Sequence, residues 1–320
     1  MRMKKIVVTG ALGHIGSHLI RSLPAAFPDS TIILLDNLSS QRYCSLFNLS
    51  DKVRYQFIEG NILTTELDPI FSGAQVVIHL AAITDAANSF SNEEEVNKTN
   101  YEGTKRIAYA CMKNSVSLIF LSTTSVYGTQ KDIVDEFCSK EELCPQSPYA
   151  ASKLKSENFL LQLRKENNFP FIICRFGTIY GTSIGMRFHT AVNKFCWQAV
   201  NDQPITVWKT ALNQKRPYLH IDDASNAIIH IIQNNIFDGE IFNILTSNSA
   251  VQEIIDVIKE RIPTLSIELT DNQIMNQLSY NVSNERFKKT GFVYHGSLKS
   301  GIEETLELLS GIFNWKYKDE

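Results

Sequence analysis

The chain has 320 residues, of which 43% are hydrophobic and 20% are charged, and its formal net charge is −3. This length and apolar content allow one large core and a smaller lobe, and the near-neutral charge argues against nucleic acid or an anionic membrane as a partner, since both require a basic face. No apolar run approaches the roughly 18 residues of a membrane span, and the six cysteines show neither Cys-x-x-Cys nor metal-binding spacing. We therefore expect a cytoplasmic protein with free thiols and no metal.

Apolar runs alternate with helical stretches along the first 180 residues. The runs predict strands at 5–9, 31–36, 53–58, 75–80, 116–121 and 170–175, with long helices near 91–114 and 147–168. This alternation predicts an α/β fold with a doubly wound, parallel Rossmann sheet. After Gly181 the pattern changes to helices near 188–201, 222–234, 250–261 and 299–313 and short strands near 205–208 and 241–245.

A glycine-rich turn follows the first predicted strand. Gly10, Gly13 and Gly16 separate an apolar run from a helical segment, in the order strand, turn, helix. Glycines let the turn tighten and let a pyrophosphate approach the backbone, while the helix N-terminus faces the phosphates. Asp36 ends the second strand about 20 residues further on, where a carboxylate accepts both ribose hydroxyls and repels a 2′-phosphate. The sequence therefore predicts binding of NAD rather than NADP.

A second group of residues carries side chains suited to proton transfer. Tyr149 and Lys153 stand four residues apart, so on a helix they share one face. An ammonium group beside a phenol lowers the pKa of the tyrosine, which can then act as a general base. An ordinary exposed helical pair is the alternative for this spacing by itself. Thr123 adds a hydroxyl after the strand at 116–121, at the sheet edge where open parallel sheets bind ligands.

The motifs along nearly the whole chain resemble the extended short-chain dehydrogenase/reductase superfamily, in particular its NAD-dependent nucleotide-sugar epimerases and dehydratases, such as UDP-glucose 4-epimerase. The resemblance also covers the segments 79–82, 174–181 and 216–223. It implies that Thr123, Tyr149 and Lys153 are catalytic, and that a set of residues holds NAD. These are Gly10, Gly13, His14, Ile15, Gly16, Asp36, Asn37, Ser39, Asn61, Ile62, Leu80, Ala81, Ala82, Asn100, Tyr149, Lys153 and Phe176.

The second half of the chain indicates the substrate class. In similar enzymes an arginine at the position of Arg216 clamps the pyrophosphate of a nucleotide diphosphate sugar, because a guanidinium fork matches two phosphate oxygens. A surface ion pair is the alternative for Arg216, and a core position is the alternative for Trp208. The resemblance implies substrate contacts at Thr84, Thr124, Thr178, Arg187, Asn193, Trp208 and Arg216.

The resemblance also implies how the chain is divided. Residues 1–180 are expected to form the NAD-binding Rossmann domain, to which residues near 215–245 return, and residues 181–320 are expected to form mainly the substrate-binding lobe. Similar proteins form homodimers through the helices that correspond to those near 91–114 and 147–168, so a homodimer is expected.

Three positions depart from the family pattern. Asn61 replaces the usual adenine-binding aspartate, and its amide oxygen can still accept a hydrogen bond from an adenine amino group. Thr178 replaces a frequent asparagine and removes an amide donor. Thr124 and Ser125 stand where similar 4,6-dehydratases carry an acidic pair, so water elimination is disfavoured.

Taken together, these residues predict an NAD-dependent nucleotide-diphosphate-sugar epimerase that oxidises sugar C4 to a transient 4-keto intermediate. Three alternatives stay open. They are a net C4 dehydrogenase or reductase that uses the same three catalytic residues, a dehydratase, and a non-catalytic NAD-binding protein.

Overall fold

The fold is built around one parallel β-sheet with helices on both faces. The computed structural model describes residues 5–128, 132–271 and 280–311. Within them the strands are β1 (Lys5–Thr9), β2 (Thr31–Asp36), β3 (Arg54–Glu59), β4 (Val76–His79), β5 (Ser117–Thr123), β6 (Ile133–Val134), β7 (Phe171–Phe176), β8 (Thr178–Tyr180), β9 (Ile205–Trp208), β10 (Lys215–His220), β11 (Asp238–Ile244), β12 (Ser247–Ala250), β13 (Ile267–Thr270) and β14 (Asn281–Val282). The central sheet has the order β11-β7-β5-β4-β1-β2-β3, and every neighbouring pair is parallel. The predicted doubly wound α/β fold is confirmed.

Ten α-helices lie within the described ranges, and some of them cover the two faces of this sheet. In chain order they are α1 (His14–Ala26), α2 (Asp68–Phe71), α3 (Glu93–Asn97), α4 (Gly103–Lys113), α5 (Pro148–Glu166), α6 (Ala191–Val200), α7 (Ile221–Gln233), α8 (Val251–Arg261), α9 (Glu285–Lys288) and α10 (Leu298–Leu309). Successive residues of β1 face opposite sides, so Val8 joins a core cluster with Leu19 of α1 and Ile228 of α7. Val7 joins a separate cluster with Ile107 of α4. Burial on both faces explains why the central strands read as continuous apolar runs.

The helix predicted near 91–114 is interrupted. It consists of α3 and α4 joined by a π-helical turn, Lys98–Glu102. Asn100 lies in this turn, where its Nδ2 donates to the Ile83 carbonyl and to the Ser152 hydroxyl, both at 3.0 Å. The turn is therefore fixed by contacts with distant segments. Helical periodicity in the sequence does not reveal such contacts, so the interruption was not predicted.

The residues after β7 build a second core. Strand β10 pairs with β8 in parallel and with β12 in antiparallel orientation, and none of these three strands was predicted. Helices α6, α8 and α10 pack a cluster that includes Tyr180, Val192, Ile254 and Ile302. Strand β11 then returns to the central sheet beside β7.

The predicted last helix extended to residue 313, and α10 ends at Leu309; residues 312–313 lie outside the described part of the chain. Within the described ranges, none of the helices combines the length and the apolar character needed to cross a membrane.

Candidate active site

The turn between β1 and α1 contains glycines at positions where a side chain would not fit. Gly10 has a φ of +66°, and a Cβ there would lie 2.6 Å from the Ala81 nitrogen. A Cβ at Gly16 would lie 2.6 Å from the Ala11 carbonyl oxygen. Both positions therefore require glycine. No side chain caps α1 at Gly13, so the N–H groups of the first helical turn can meet an anion.

This turn forms one wall of a cavity of about 740 Å³. The volume lies within the roughly 300–1,000 Å³ usual for ligand sites. All but one of the predicted cofactor residues line it. They are Gly10, Gly13, His14, Ile15, Gly16, Asp36, Asn37, Ser39, Asn61, Ile62, Leu80, Ala81, Ala82, Tyr149, Lys153 and Phe176.

Two polar side chains keep acceptor capacity toward this cavity. The Asp36 carboxylate accepts from the N–H groups of Leu12 and Leu38, each at 3.0 Å, through different oxygens. The Asn61 amide oxygen accepts from the Leu63 N–H at 2.9 Å. Each of these oxygens can accept a second hydrogen bond, so both side chains can still meet ribose or adenine donors.

Arg42 also lines this cavity, and the sequence analysis missed it. Its terminal nitrogen lies 3.9 Å from the position that a Cβ of Gly13 would take, so its charge stands next to the glycine turn. Burial lowers the pKa of Arg42, and the charge of Asp36 opposes that shift. A cation and a carboxylate therefore flank the same end of the cavity.

The start of α5 directs two predicted catalytic residues toward the cavity. The Ser147 hydroxyl caps this helix by accepting from the Ala150 N–H at 3.2 Å. Tyr149 and Lys153 then follow one turn apart on the same face, and both line the cavity. Thr123, the last residue of β5, lines it as well, so the structure brings the three residues together.

Burial and neighbouring groups act on the pKa values of Tyr149 and Lys153. Burial raises the pKa of Tyr149, while the charge of Arg187 and a hydrogen bond with Thr123 act in the opposite direction. Lys153 donates to the Leu121 carbonyl at 2.8 Å, and burial lowers the pKa of Lys153 to about 8. The prediction that Lys153 lowers the pKa of Tyr149 stays a prediction, and Arg187 is a further cation whose charge favours the phenolate.

A buried charged network lies behind these residues, and the sequence analysis missed it. Glu157 and Arg175 are 1% and 2% exposed in their side chains and form an ion pair with an N···O distance of 2.6 Å. The Ser122 hydroxyl donates to Glu157. Arg175 donates to the Tyr127 hydroxyl at 2.9 Å, and that hydroxyl donates to the Asn243 amide oxygen at 2.8 Å. The network ties α5 to β5, β7 and β11.

A second cavity of about 310 Å³ adjoins the first. Ser125, Thr178 and Thr190 line both cavities, so the two form one continuous cleft. Thr124 and Arg216 line the second cavity. The Arg216 guanidinium is half-buried, and burial lowers the pKa of Arg216. The second cavity therefore offers a cationic group at a distance from the glycine turn.

The remaining predicted residues lie in different parts of the structure. Asn100 and Asn193 line neither cavity, and Asn193 instead accepts from the Gly181 N–H at 3.2 Å and donates to the Arg187 carbonyl at 3.1 Å. Thr84 and Arg187 line the first cavity. The side chain of Trp208 lies outside the described part of the structure.

Comparison with known proteins accounts for this arrangement. The profile of the NAD dependent epimerase/dehydratase family matches residues 6–244, a range that includes the glycine turn, Thr123, Tyr149 and Lys153. The protein belongs to the NAD dependent epimerase/dehydratase family. It is an enzyme family, and the cavity fits the cofactor in its name, because the glycine turn and the N-terminus of α1, which no side chain caps, line it and offer backbone N–H groups to a pyrophosphate.

Curated relatives in this family carry several activities. The chain is 28% identical over 321 residues to a trifunctional UDP-glucose 4,6-dehydratase/UDP-4-keto-6-deoxy-D-glucose 3,5-epimerase/UDP-4-keto-L-rhamnose-reductase of Arabidopsis thaliana, covering 95% of this chain and 47% of that protein. It thus spans about half the length of such relatives. It is 31% identical over 331 residues to the dTDP-D-glucose 4,6-dehydratase of Bos taurus, covering 98% of this chain and 91% of that protein.

A solved structure of an epimerase is also similar to this chain. It is the UDP-glucuronic acid 4-epimerase of Bacillus cereus in complex with UDP-glucuronic acid and NAD. The two chains are 25% identical with a TM-score of 0.85, and the match covers 97% of this chain and all of that one.

Proposed function

We propose that the protein is an NAD-dependent epimerase of a nucleotide diphosphate sugar, acting through reversible oxidation at C4. The observation that carries the proposal is the meeting of Thr123, Tyr149 and Lys153 at the dinucleotide cavity, with hydroxyl side chains rather than carboxylates at Thr124 and Ser125. These groups suffice for moving a proton on and off a sugar hydroxyl.

The residues that would hold NAD follow from the chemistry of the cavity walls. The glycine turn and the N-terminus of α1 would bind the pyrophosphate, Asp36 would accept from the adenosine ribose hydroxyls, and Lys153 would contact the nicotinamide ribose. When bound, NAD would supply the hydride acceptor and donor for the sugar carbon, which is the redox part of the reaction.

The side chains supply positioning and proton transfer. The Thr123 hydroxyl acts as a hydrogen-bonding group on Tyr149, so a sugar hydroxyl beside both can donate to the phenol oxygen while it accepts from the threonine. Tyr149 takes the proton as C4 is oxidised and gives it back after the keto sugar has turned in the cavity. The positive charge of Arg187 offsets part of the burial that otherwise keeps the phenol neutral.

The second cavity is proposed to hold the nucleotide part of the substrate. Arg216 lines it and supplies a guanidinium suited to a pyrophosphate, and Thr178 lies where the two cavities join. Uridine is the favoured base because the similar Bacillus cereus enzyme binds UDP-glucuronic acid.

The dehydratase alternative is supported by the fact that several relatives, including the one from Bos taurus, are 4,6-dehydratases. Water elimination needs an acid and a base beside the sugar, and the Thr124 hydroxyl instead donates to the Phe176 carbonyl at 3.3 Å. A net dehydrogenase would use Thr123, Tyr149 and Lys153 in the same roles but would exchange its cofactor.

Proton NMR of the purified protein incubated with NAD and a panel of UDP-sugars tests the proposal. We expect one pair of C4 epimers to interconvert while NADH absorbance stays flat, and the Thr123→Val variant to slow the reaction strongly. Stoichiometric NADH with a lasting keto product would establish the dehydrogenase instead. A 4-keto-6-deoxy product would establish the dehydratase.

We also propose a homodimer packed through α4 and α5. Tyr109 is 51% exposed, and it forms an edge-to-face contact with Phe159, which makes a second such contact with Tyr101. Most other apolar residues of these helices, including Ala108 and Leu160, are buried in the monomer core and are not available to a partner. Light scattering at micromolar concentration tests this, and a Tyr109→Glu variant should shift the mass to that of a monomer.

A cytoplasmic location is proposed as well. All six cysteines carry free thiols, which suits a reducing compartment. Cell fractionation that recovers the protein from an oxidising compartment would contradict this.

A further inference from the structure

The loop between β8 and α6 carries Arg187 into the first cavity and is fixed to the glycine turn. The His14 Nε2 lies 3.0 Å from the Gly181 carbonyl oxygen. The Gly185 N–H donates to the Ser17 hydroxyl oxygen at 2.9 Å. These contacts anchor the loop on α1, so the position of Arg187 is set by the fold.

The Arg187 guanidinium has more donors than partners. One terminal nitrogen donates to the Thr84 hydroxyl at 2.5 Å, while the buried Nε–H has no hydrogen-bond partner among the described residues. A guanidinium carries five N–H donors. Asp85 is the acid whose charge acts on Arg187, but both of its oxygens accept from its own turn, through Asn88 and the neighbouring backbone. The free donors of Arg187 therefore suit an anion from outside the protein.

The anion would lie beside the reacting phenol. The charge of Arg187 favours the Tyr149 phenolate and adds to the lowering of the His189 pKa that burial begins. Arg42 stands next to Gly13, where it can supply a cation for the dinucleotide phosphates, and its charge also acts on Arg187. Arg187 is thus a second cation on the wall of this cavity, which also holds Tyr149.

We propose that Arg187 binds a carboxylate on the sugar, and that the substrate is a nucleotide diphosphate uronic acid. This rests on the proposed function, which puts C4 at Tyr149, so that the C6 group attached to the neighbouring C5 lies close by. A carboxylate at C6 can accept two parallel hydrogen bonds from the Nε and a terminal nitrogen of the guanidinium. A neutral hydroxymethyl group would leave this buried donor poorly satisfied, which weakens binding. The Thr178 hydroxyl, on the wall of the same cavity, offers a further donor.

Binding measurements with two matched ligands test this inference. UDP-glucuronic acid and UDP-glucose differ in the C6 group. Isothermal titration calorimetry on the NAD-saturated Tyr149→Phe protein, in which turnover is strongly slowed, measures the affinity for each ligand. We expect the uronate to bind at least about tenfold more tightly, the range of a charged hydrogen bond. Adding Arg187→Gln should abolish this preference. The control Arg42→Gln should weaken NAD binding and keep the preference.

Several outcomes would overturn the inference. These are equal affinities for the two ligands, failure of UDP-glucuronic acid to bind, and an Arg187→Gln variant that weakens NAD binding while the uronate preference survives. The last result would assign Arg187 to the dinucleotide pyrophosphate. If circular dichroism shows that Arg187→Gln does not fold, Thr84→Val removes the partner of the guanidinium and should reduce the same preference; an unchanged preference would count against the inference.

The inference and the proposed function fail separately. Turnover of UDP-glucose to its C4 epimer with equal binding of the two sugars would overturn the uronate assignment and leave the epimerase intact. A strong uronate preference without interconversion of C4 epimers in the parent protein would overturn the epimerase proposal and leave the uronate assignment intact.

Discussion

The substitution Glu157→Gln tests the buried network behind the active site. It removes a charge with little change in shape. In the structure the Glu157 carboxylate accepts three contacts from Arg175, at 2.6, 3.0 and 3.2 Å, and a hydrogen bond from Ser122. Glutamine has one acceptor oxygen, and its amide nitrogen would face the donors of Arg175. Removing one partner of a buried ion pair costs about 3–5 kcal/mol, a large share of the roughly 5–15 kcal/mol that stabilises a typical protein.

Urea unfolding followed by circular dichroism at neutral pH measures this loss. We expect the midpoint to fall with an unchanged slope. The matched control is Glu260→Gln, because Glu260 pairs with Lys299 at 2.7 Å on the surface, and that change should be unresolved on the same curves. A loss below about 1 kcal/mol, the value of an exposed pair, would refute the reasoning. The charge of Glu157 raises the pKa of Lys153, so the variant should also move the alkaline loss of activity to lower pH.

Three further predictions concern single residues. Tyr149→Phe should reduce turnover by about 10²–10⁴-fold while NAD binding is kept, whereas Tyr109→Phe, at an exposed tyrosine, should match the parent; a Tyr149→Phe turnover within threefold of the parent would remove the phenol from the mechanism. Asp36→Asn should narrow the preference for NAD over NADP in calorimetry, because Arg42 would then face a 2′-phosphate without the opposing carboxylate, and a parent that already prefers NADP would contradict the assignment. Burial lowers the pKa of His79 to about 3, whereas histidine in the unfolded chain has a pKa of about 6.5. Below about pH 6.5 the unfolded chain therefore binds more protons than the folded protein. The free energy of unfolding should fall by about 2 kcal/mol between neutral pH and about pH 5. In urea titrations at the two pH values His79→Gln should flatten this dependence, and an equal slope in parent and variant would contradict it.

The sequence predicted what local patterns and spacing encode. Strands β1, β2, β5 and β7 are buried on both faces, so their continuous apolar sequences could be distinguished from helices. The spacing of the glycines predicted the dinucleotide turn. Strand β10 was missed because its pairing with β8 and β12 joins segments far apart in the chain. No local pattern in 215–220 distinguishes that strand from a loop.

The site was predicted in the same partial way. Tyr149 and Lys153 lie on one helix, so their spacing in the sequence was enough to predict that they share a face. The same interval of four leads on to Glu157, and this spacing could have predicted a member of the buried ion pair. Its partner Arg175 comes from a different strand. The place of Arg187 beside Tyr149 depends on the anchoring of the loop to α1, which is a tertiary contact. Charge environments of this kind cannot be read from residue order.

Isotope labelling at the reacting carbon tests the central claim most directly. The purified protein with NAD is incubated with UDP-glucuronic acid carrying deuterium at C4, and NMR locates the deuterium at equilibrium. Oxidation and re-reduction at C4 on one bound cofactor predict that the product epimer keeps deuterium at C4. Deuterium found in free NADH, or lost to water, would contradict the account.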